Sequence, residues 1–491
     1  MDEIRIENLR SLVDTGYIKL KNINVFLGQN SSGKSTFIRT FPLLKQSNQQ
    51  KTKSGILWYG PYVDFGSFKE AIHDSKSPAK DTINFTFVIN DLNVEPENFH
   101  YFSKRISPNF SSTISPGRVE VTAKISKDNH QLSEYYVKIR SHIIRIVVGN
   151  GVTLEKFEID GADHTARADL YYNFYLHYGI LPVLLPASIV NESPLDAGLL
   201  KDVTNEFKTI GNFDSKTFEL LTFESCVSIS TLSQALRLPA ILISQSMLEK
   251  VSRYVTIRAL PMIWDSLRDN INNSAGGVQY VTPIRASAER YYRMQGLSVE
   301  ELDPQGTNLA MFLHSLSTKE AKEFSEWTQK HMGFAVLSKS SEGHVSIVIS
   351  EKDKKQVNMA DTGFGFSQVV PILAQIWKST RSDERTKRMI YYVVEQPELH
   401  LHPKMQAKLA DILISAIKRG KNQNIRLVIE THSETFINQL GKAIDKSLIT
   451  PDDVGIYLFE KNDSDGKTKI TESAFDSQGF LTQWPYGFFD S

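Results

Sequence analysis

Apolar and polar residues alternate through Ile4, Ile6 and Leu9 and again from Tyr17 to Leu20, and an apolar run, Val25-Phe26-Leu27, then ends at a glycine. A period of two predicts two or three short strands here. From about 82 to 161 the alternation returns in TINFTFVIN, GRVEVTAKI, EYYVKI, HIIRIVVG and VTLEKFEI, with Asn-Gly at 150–151 and Asp-Gly at 160–161 as turn signals. These runs predict an antiparallel β region. Between roughly 162 and 280 the apolar spacing lengthens, as in FDSKTFELLTF and SQSMLEKVSRYVTIRAL, and predicts a helical insertion. Beyond 281 the pattern predicts a hairpin near 334–358, a helix from about Ser367, a buried strand at 390–394, a helix over 403–419, a strand at 425–429 and a further helix. In the helix over 403–419, Met405, Leu409, Ile412, Leu413 and Ala416 share one face. No sustained heptads and no internal repeat occur, which excludes long coiled-coil arms and repeat architectures.

One run needs weighing against a membrane: residues 170–191 carry no charge and are long enough to span a bilayer. Asn173, His177, Pro182, Pro186 and the tyrosines among them favour a core segment with turns, so no membrane contact is expected. The chain of 491 residues has room for two to four domains. Its 56 Lys and Arg balance 56 Asp and Glu, so no whole-protein field draws it to nucleic acid. Cys226 stands alone, which excludes a disulfide framework or a multi-cysteine metal site. MDEIRIENLR does not have the form of a signal peptide, and the expected location is the cytoplasm.

Chemistry enters at Gly28-Gln29-Asn30-Ser31-Ser32-Gly33-Lys34-Ser35, which fits the phosphate-loop pattern G-x-x-x-x-G-K-[ST] between an apolar strand and a predicted helix. Its backbone amides can form an anion nest, Lys34 can reach the β- and γ-phosphates of ATP, and the Ser35 hydroxyl can ligate Mg²⁺. The strand at 390–394 runs into Glu395-Gln396-Pro397-Glu398, the form in which a phosphate-loop protein supplies a second metal contact, through Glu395. The strand at 425–429 runs into Glu430-Thr431-His432-Ser433, and a histidine at a parallel strand's C-terminus faces the same crevice as the nucleotide.

These elements, their order and the long separation of Lys34 from Glu395 resemble the ABC-type ATPases of the SMC/RecF/OLD group. The resemblance implies an α/β, ABC-type P-loop ATPase head with an antiparallel β subdomain and a helical insertion. The segments expected are an N-terminal lobe over 1–80, the β subdomain over 81–161, the insertion over 162–280, a C-terminal lobe over 281–460 and an aromatic tail over 461–491. In that group the first strand carries an Arg-Ser pair, here Arg10-Ser11. A signature segment, here Asp361-Thr362-Gly363-Phe364-Gly365-Phe366-Ser367-Gln368, contacts the nucleotide of the opposite subunit. The resemblance thus implies that Arg10, Gly28, Asn30, Ser31, Ser32, Gly33, Lys34, Ser35, Thr36, Ser367 and Gln368 bind nucleotide. It also implies that Ser35 and Glu395 hold magnesium, and that Gln396, His432 and Glu398 serve catalysis.

Glu395-Gln396-Pro397-Glu398-Leu399-His400-Leu401-His402-Pro403, Glu430-Thr431-His432-Ser433-Glu434, Asp303-Pro304-Gln305-Gly306-Thr307-Asn308-Leu309 and Trp484-Pro485-Tyr486-Gly487-Phe488-Phe489-Asp490 narrow the resemblance further. They resemble a bacterial AAA/ABC-like group whose relatives include anti-phage ATPase subunits of the Septu PtuA and PARIS AriA type. This implies a homo-oligomer, at least a head-to-tail dimer, that controls a separate effector protein, most plausibly a nuclease. The OLD and Gabija ATPases of the same group continue into a Toprim nuclease, for which the stretch after His432 is too short. Asp463-Ser464-Asp465-Gly466 reads as a hairpin turn and not as a metal-binding cluster. Gln396 stands where related ATPases carry the glutamate that polarises the attacking water. An amide can orient water but cannot take its proton, so slow hydrolysis is expected, with Glu398 or His400 as substitute bases. The competing expectation is a RecF/SMC-like DNA-binding repair ATPase, with Lys45, Lys51 and Lys53, or Lys418, Arg419, Lys421 and Arg426, on DNA phosphates. A transporter ATPase fits neither the large insertion nor the signature.

Overall fold

The computed structural model describes the chain except residues 51–54, 74–80, 95–113, 127–131, 150–152, 170–171, 176–178, 187–193, 295–298, 300, 352–354, 382–388, 420–424, 463–465 and 484–491. The aromatic tail motif at 484–490, the Asp463–Asp465 turn and Lys51, Lys53 and Lys421 lie outside the described residues, as do the side chains of Lys418 and Arg419. The chain divides into two compact units.

One unit comprises Met1–Asn8, Ser47–Leu57 and Ser67–Asn272. Its strands Thr82–Val94, Ile114–Ser126, Leu132–Ile139, His142–Gly149 and Thr153–Ile159 pair in succession, each antiparallel to the next. The first strand of the chain, Glu3–Leu9, adds to Thr82–Val94 with Ile4 opposite Phe87. Alternate residues on these strands are buried, so period-two patterning becomes one apolar sheet face. The predicted β subdomain and most of the predicted insertion therefore share one unit. That insertion is not wholly helical: Tyr172–Tyr175 pairs antiparallel with Val183–Pro186. Aromatic residues and Pro182 and Pro186 oppose a helix there. The long helix Gln245–Gly276 follows, and its Trp264 is fully buried, edge-on to Tyr135 and donating to the Pro182 carbonyl at 2.8 Å. No helix among the described residues is long and apolar enough to cross a membrane.

The other unit comprises Leu9–Gln46, Trp58–Gly66 and Asn273–Ser491. Its sheet runs in the order Val278–Val281, Ile390–Glu395, Ile425–Glu430, Ile23–Gly28 and Val454–Lys461, all parallel, with Thr468–Ser473 antiparallel at the edge. The Ile425–Glu430 strand thus lies between the strand that leads into the phosphate loop and the strand that ends in Glu395. Helices Phe364–Ser379, Pro403–Arg419 and Glu434–Asp445 bury apolar faces in the same core as the sheet, including Leu409, Ile412, Leu413 and Ala416. A parallel sheet covered this way aligns its strand ends, which is how segments hundreds of residues apart reach one crevice.

Candidate functional site

The phosphate loop leaves a strand whose six residues are all buried. Gly28 is required by close approach: a Cβ there would lie 2.1 Å from the Phe459 carbonyl oxygen of the neighbouring strand. Gly33 has φ 97°, and a Cβ on it would meet the Ser11 hydroxyl at 2.7 Å. Thr468 donates its hydroxyl to the Ser32 carbonyl at 2.8 Å, tying the loop to the edge strand. Gln29, Asn30 and Ser31 remain exposed, whereas the buried Ser32 hydroxyl has no partner among the described residues. The result is a narrow cradle of backbone that glycines keep clear. Thr36 is half-buried, its carbonyl accepting from the Thr40 hydroxyl.

The helix that follows, Lys34–Ile38, buries Lys34 at 3% exposure. Its ammonium donates to the Gly28 and Gln29 carbonyls at 2.7 and 2.8 Å and lies 3.8 Å from Glu430. Burial pushes that ammonium below its ordinary pKa, with the Glu430 charge opposing. The Ser35 hydroxyl donates to Glu430 at 2.8 and 3.1 Å. Glu430 pairs in register with Glu395 on the adjacent strand. Burial, and then the neighbouring Glu395 charge, push the Glu430 carboxyl up to about 7. Glu395 is held otherwise: Arg39 donates to both of its oxygens at 2.8 Å and Tyr280 donates to one at 2.5 Å. The fork raises the Arg39 pKa further, so the guanidinium stays charged.

A hydroxyl and carboxylates are hard oxygen donors of the kind magnesium takes, and magnesium is commonly held by one or two carboxylates together with phosphates. Ser35 and Glu430 fit that demand, whereas Glu395 would have to leave the Arg39 fork to reach a metal. Among the described residues no set of three His, Cys, Asp or Glu could hold a metal by itself.

Gln396 follows Glu395 with φ 45°, its amide donating to the Glu430 carbonyl at 2.8 Å. Both Glu398 oxygens are engaged, one by the His432 amide at 2.6 Å and one by the Thr431 hydroxyl at 2.8 Å. Burial nevertheless raises the Glu398 pKa. Burial, and then the Lys34 charge, push the His432 imidazole below its ordinary value, leaving it neutral at pH 7. His400 stands exposed, edge-on to the Phe364 ring.

In the signature segment Ser367 and Gln368 are buried, and the exposed residues are Asp361, Gly363 and Phe364. The Ser367 hydroxyl donates to the Phe364 carbonyl at 2.7 Å. Arg10 sits 4.5 Å above the Phe65 ring and donates to the Asp64 carbonyl at 3.4 Å. Lys45 corrects the expectation of a DNA contact: it is 2% exposed, donates to the Val278 carbonyl at 2.7 Å and pairs with Glu301. A buried, satisfied ammonium cannot meet a phosphate backbone.

Sequence reasoning missed Arg39, Tyr280, Arg285 and Glu430. Glu430 was within reach, because continuing the apolar strand by one residue sets it beside Glu395. The others become visible only once distant strands are aligned, Arg39 and Glu395 being 356 residues apart and Tyr280 and Glu395 115 apart.

A family model described as an AAA ATPase domain matches residues 1–163 and 191–437. A second, described as a protein of unknown function (DUF3696), matches residues 449–491. No curated protein matches the chain. Similar solved structures include an Smc head bound to the C-winged helix domain of ScpA, at 11% identity and TM-score 0.36 over 97% of this chain and 98% of that one. Another is the Smc head with an extended coiled coil bound to the C-terminal domain of ScpA from Pyrococcus furiosus, at 9% identity and TM-score 0.37 over 96% of each chain. The SMC head domain from Thermotoga maritima matches at 8% identity and TM-score 0.36 over 96% of this chain and 97% of that one. TM-scores this low add nothing on function.

Proposed function

We propose that this chain, which belongs to the AAA ATPase domain family, is a cytosolic switch that binds Mg·ATP at the phosphate loop, pairs head to tail with a second copy, hydrolyses slowly and controls a separate effector. The observation that carries the reading is a latch. Lys34 spends its hydrogen bonds on loop carbonyls and Ser35 spends its hydroxyl on Glu430, contacts that a bound triphosphate with its metal would replace. Loop amides and Lys34 would hold the phosphates, and neutral His432 can donate to a terminal phosphate. Ser35 and Glu430, with Glu395 once it leaves the Arg39 fork, would hold magnesium, which when bound neutralises phosphate charge. Gln396 orients water without accepting its proton, so the bound state outlasts that of an ATPase with a glutamate there.

Control of a separate effector, most plausibly a nuclease in anti-phage defence, is supported by the resemblance of the Glu395–Pro403 and Glu430–Glu434 motifs to those of the Septu and PARIS ATPases. The DNA-repair reading loses Lys45, which is buried and already paired. Single-turnover hydrolysis and sedimentation, run side by side, test the reading. Mg·ATP should convert the chain to a dimer, and Gln396→Glu should speed turnover by up to about 10²–10⁴-fold. A chain that stays monomeric at saturating ATP, or turns over at about 1 s⁻¹ or faster and is silenced by Glu398→Gln, contradicts it.

A further inference from the structure

One deeply buried cation near the site belongs to no motif. Arg285 is 2% exposed, and one of its terminal nitrogens donates to the Glu395 carbonyl at 3.0 Å and the Gln396 carbonyl at 3.3 Å. Its other terminal nitrogen and Nε have no partner among the described residues. Leaving guanidinium donors unmet in the interior is costly, and an apolar side chain would serve the core better. The carbonyls it holds flank the point where Gln396 enters the left-handed region at φ 45°, a conformation that a non-glycine residue adopts only when its surroundings impose it.

Arg285 is also fixed from behind. Its amide donates to the Gln368 side-chain oxygen at 3.3 Å, and the Gln368 side-chain nitrogen donates to its carbonyl at 3.2 Å. Gln368 lies in the first turns of the Phe364–Ser379 helix, directly after the signature glycines. The Asp303-Pro304-Gln305-Gly306-Thr307-Asn308 motif supplies the other support. Its Pro304 and Gln305 carbonyls accept from the Thr282 and Ala286 amides at 2.9 Å. The Asp303 carboxylate closes the turn by accepting from the Gln305, Thr307 and Asn308 amides. The chain around Arg285 is thus clamped between the signature helix and this turn, with its guanidinium extended to the end of the Glu395 strand.

We propose that Arg285 is the positioning residue of the hydrolytic loop, transmitting the placement of the signature helix, through Gln368, to Gln396. The inference rests on the ATPase reading above. A shift of Phe364–Ser379 moves the Arg285 backbone, and the guanidinium carries that shift to the two carbonyls that set where the Gln396 side chain points.

The test uses the full chain with Arg285→Lys, Gln368→Met and the double variant. Each is assayed for ATP affinity, single-turnover hydrolysis and hydrogen exchange at the Gln396 amide. Arg285→Lys keeps the charge but shortens the reach to the two carbonyls, and should slow turnover about 10- to 100-fold while ATP affinity stays within about twofold. Gln368→Met should act in the same direction, and the double variant should lose no more than the worse single one. Exchange at Gln396 should quicken while the other sheet amides hold. Unchanged turnover in folded Arg285→Lys, losses that multiply, affinity falling in step with rate, or exchange quickening throughout the sheet each overturn the proposal. If the unaltered chain binds no ATP, the ATPase reading fails and the exchange measurement alone decides on Arg285. If Arg285→Lys does not fold, Gln368→Met decides by the same readouts.

Discussion

Each compact unit buries a polar cluster, and the two clusters are built on opposite terms. In the β-rich unit His142 is 3% exposed, with one ring nitrogen 2.9 Å from Asp160 and the other 3.0 Å from the Ser252 hydroxyl. Asp160 also accepts from the Ile143 amide at 2.9 Å and from Arg253 at 3.0 Å. Burial opposes ionisation of Asp160, but the Ile143 amide, His142 and Arg253 outweigh it and hold the carboxyl below its ordinary value. The three side chains are bonded in the order of a nucleophile triad, yet Ser252 is buried within the long helix and both Asp160 oxygens are already engaged. The cluster is a closed tie between a β-turn and a helix. In the ATPase unit the reverse holds: two carboxylates sit in register, Glu430 is pushed up to about 7, and Arg285 has donors without partners. A polar network that closes on itself serves the fold, whereas one that leaves charge and donors unmet is poised for a ligand or a motion.

The largest effect expected from breaking this contrast is at Glu430. Its folded pKa of about 7 lies above the ordinary carboxylate value. The fold therefore keeps a proton that the unfolded chain has lost, and stability falls as pH rises from about 4.5 towards 7 and then levels off. Glu430→Gln removes that slope and should raise stability at pH 8 by an amount on the order of 3 kcal/mol. Denaturant titrations at pH 5 and pH 8 check it, and a variant no more stable than the parent at pH 8 would place Glu430 among the satisfied groups. A smaller effect is expected in the other cluster. Ser252→Ala leaves a buried ring nitrogen of His142 without its partner and should cost about 1 kcal/mol, with ATP affinity unaltered. An altered affinity would show that the closed tie reaches the nucleotide site.

What was legible in the sequence follows from where the chemistry lies along the chain. The phosphate loop, Glu395 and His432 each occupy a short contiguous motif at a strand end, and a parallel sheet gathers strand ends, so their convergence was readable. Arg39 lies just past the loop motif, and Tyr280 and Arg285 lie in and just beyond the strand Val278–Val281. Their roles depend on strand order, which no local pattern encodes. Ser367 and Gln368 were readable as a glycine-led helix start, but that pattern does not say that both side chains turn inward, Gln368 towards Arg285. In the β-rich unit the alternation marked the strands, while Tyr172–Tyr175 and Val183–Pro186 were too short to stand out from helical surroundings.

Calorimetric titration of Mg·ATP into the unaltered chain and into Lys34→Ala decides whether the latched cluster around the phosphate loop is an ATP site. Lys34→Ala removes the ammonium that the loop holds ready, so in the folded variant affinity should fall at least about tenfold, or about 1.4 kcal/mol. Equal affinity of the two folded proteins for ATP would contradict the ATP-site reading.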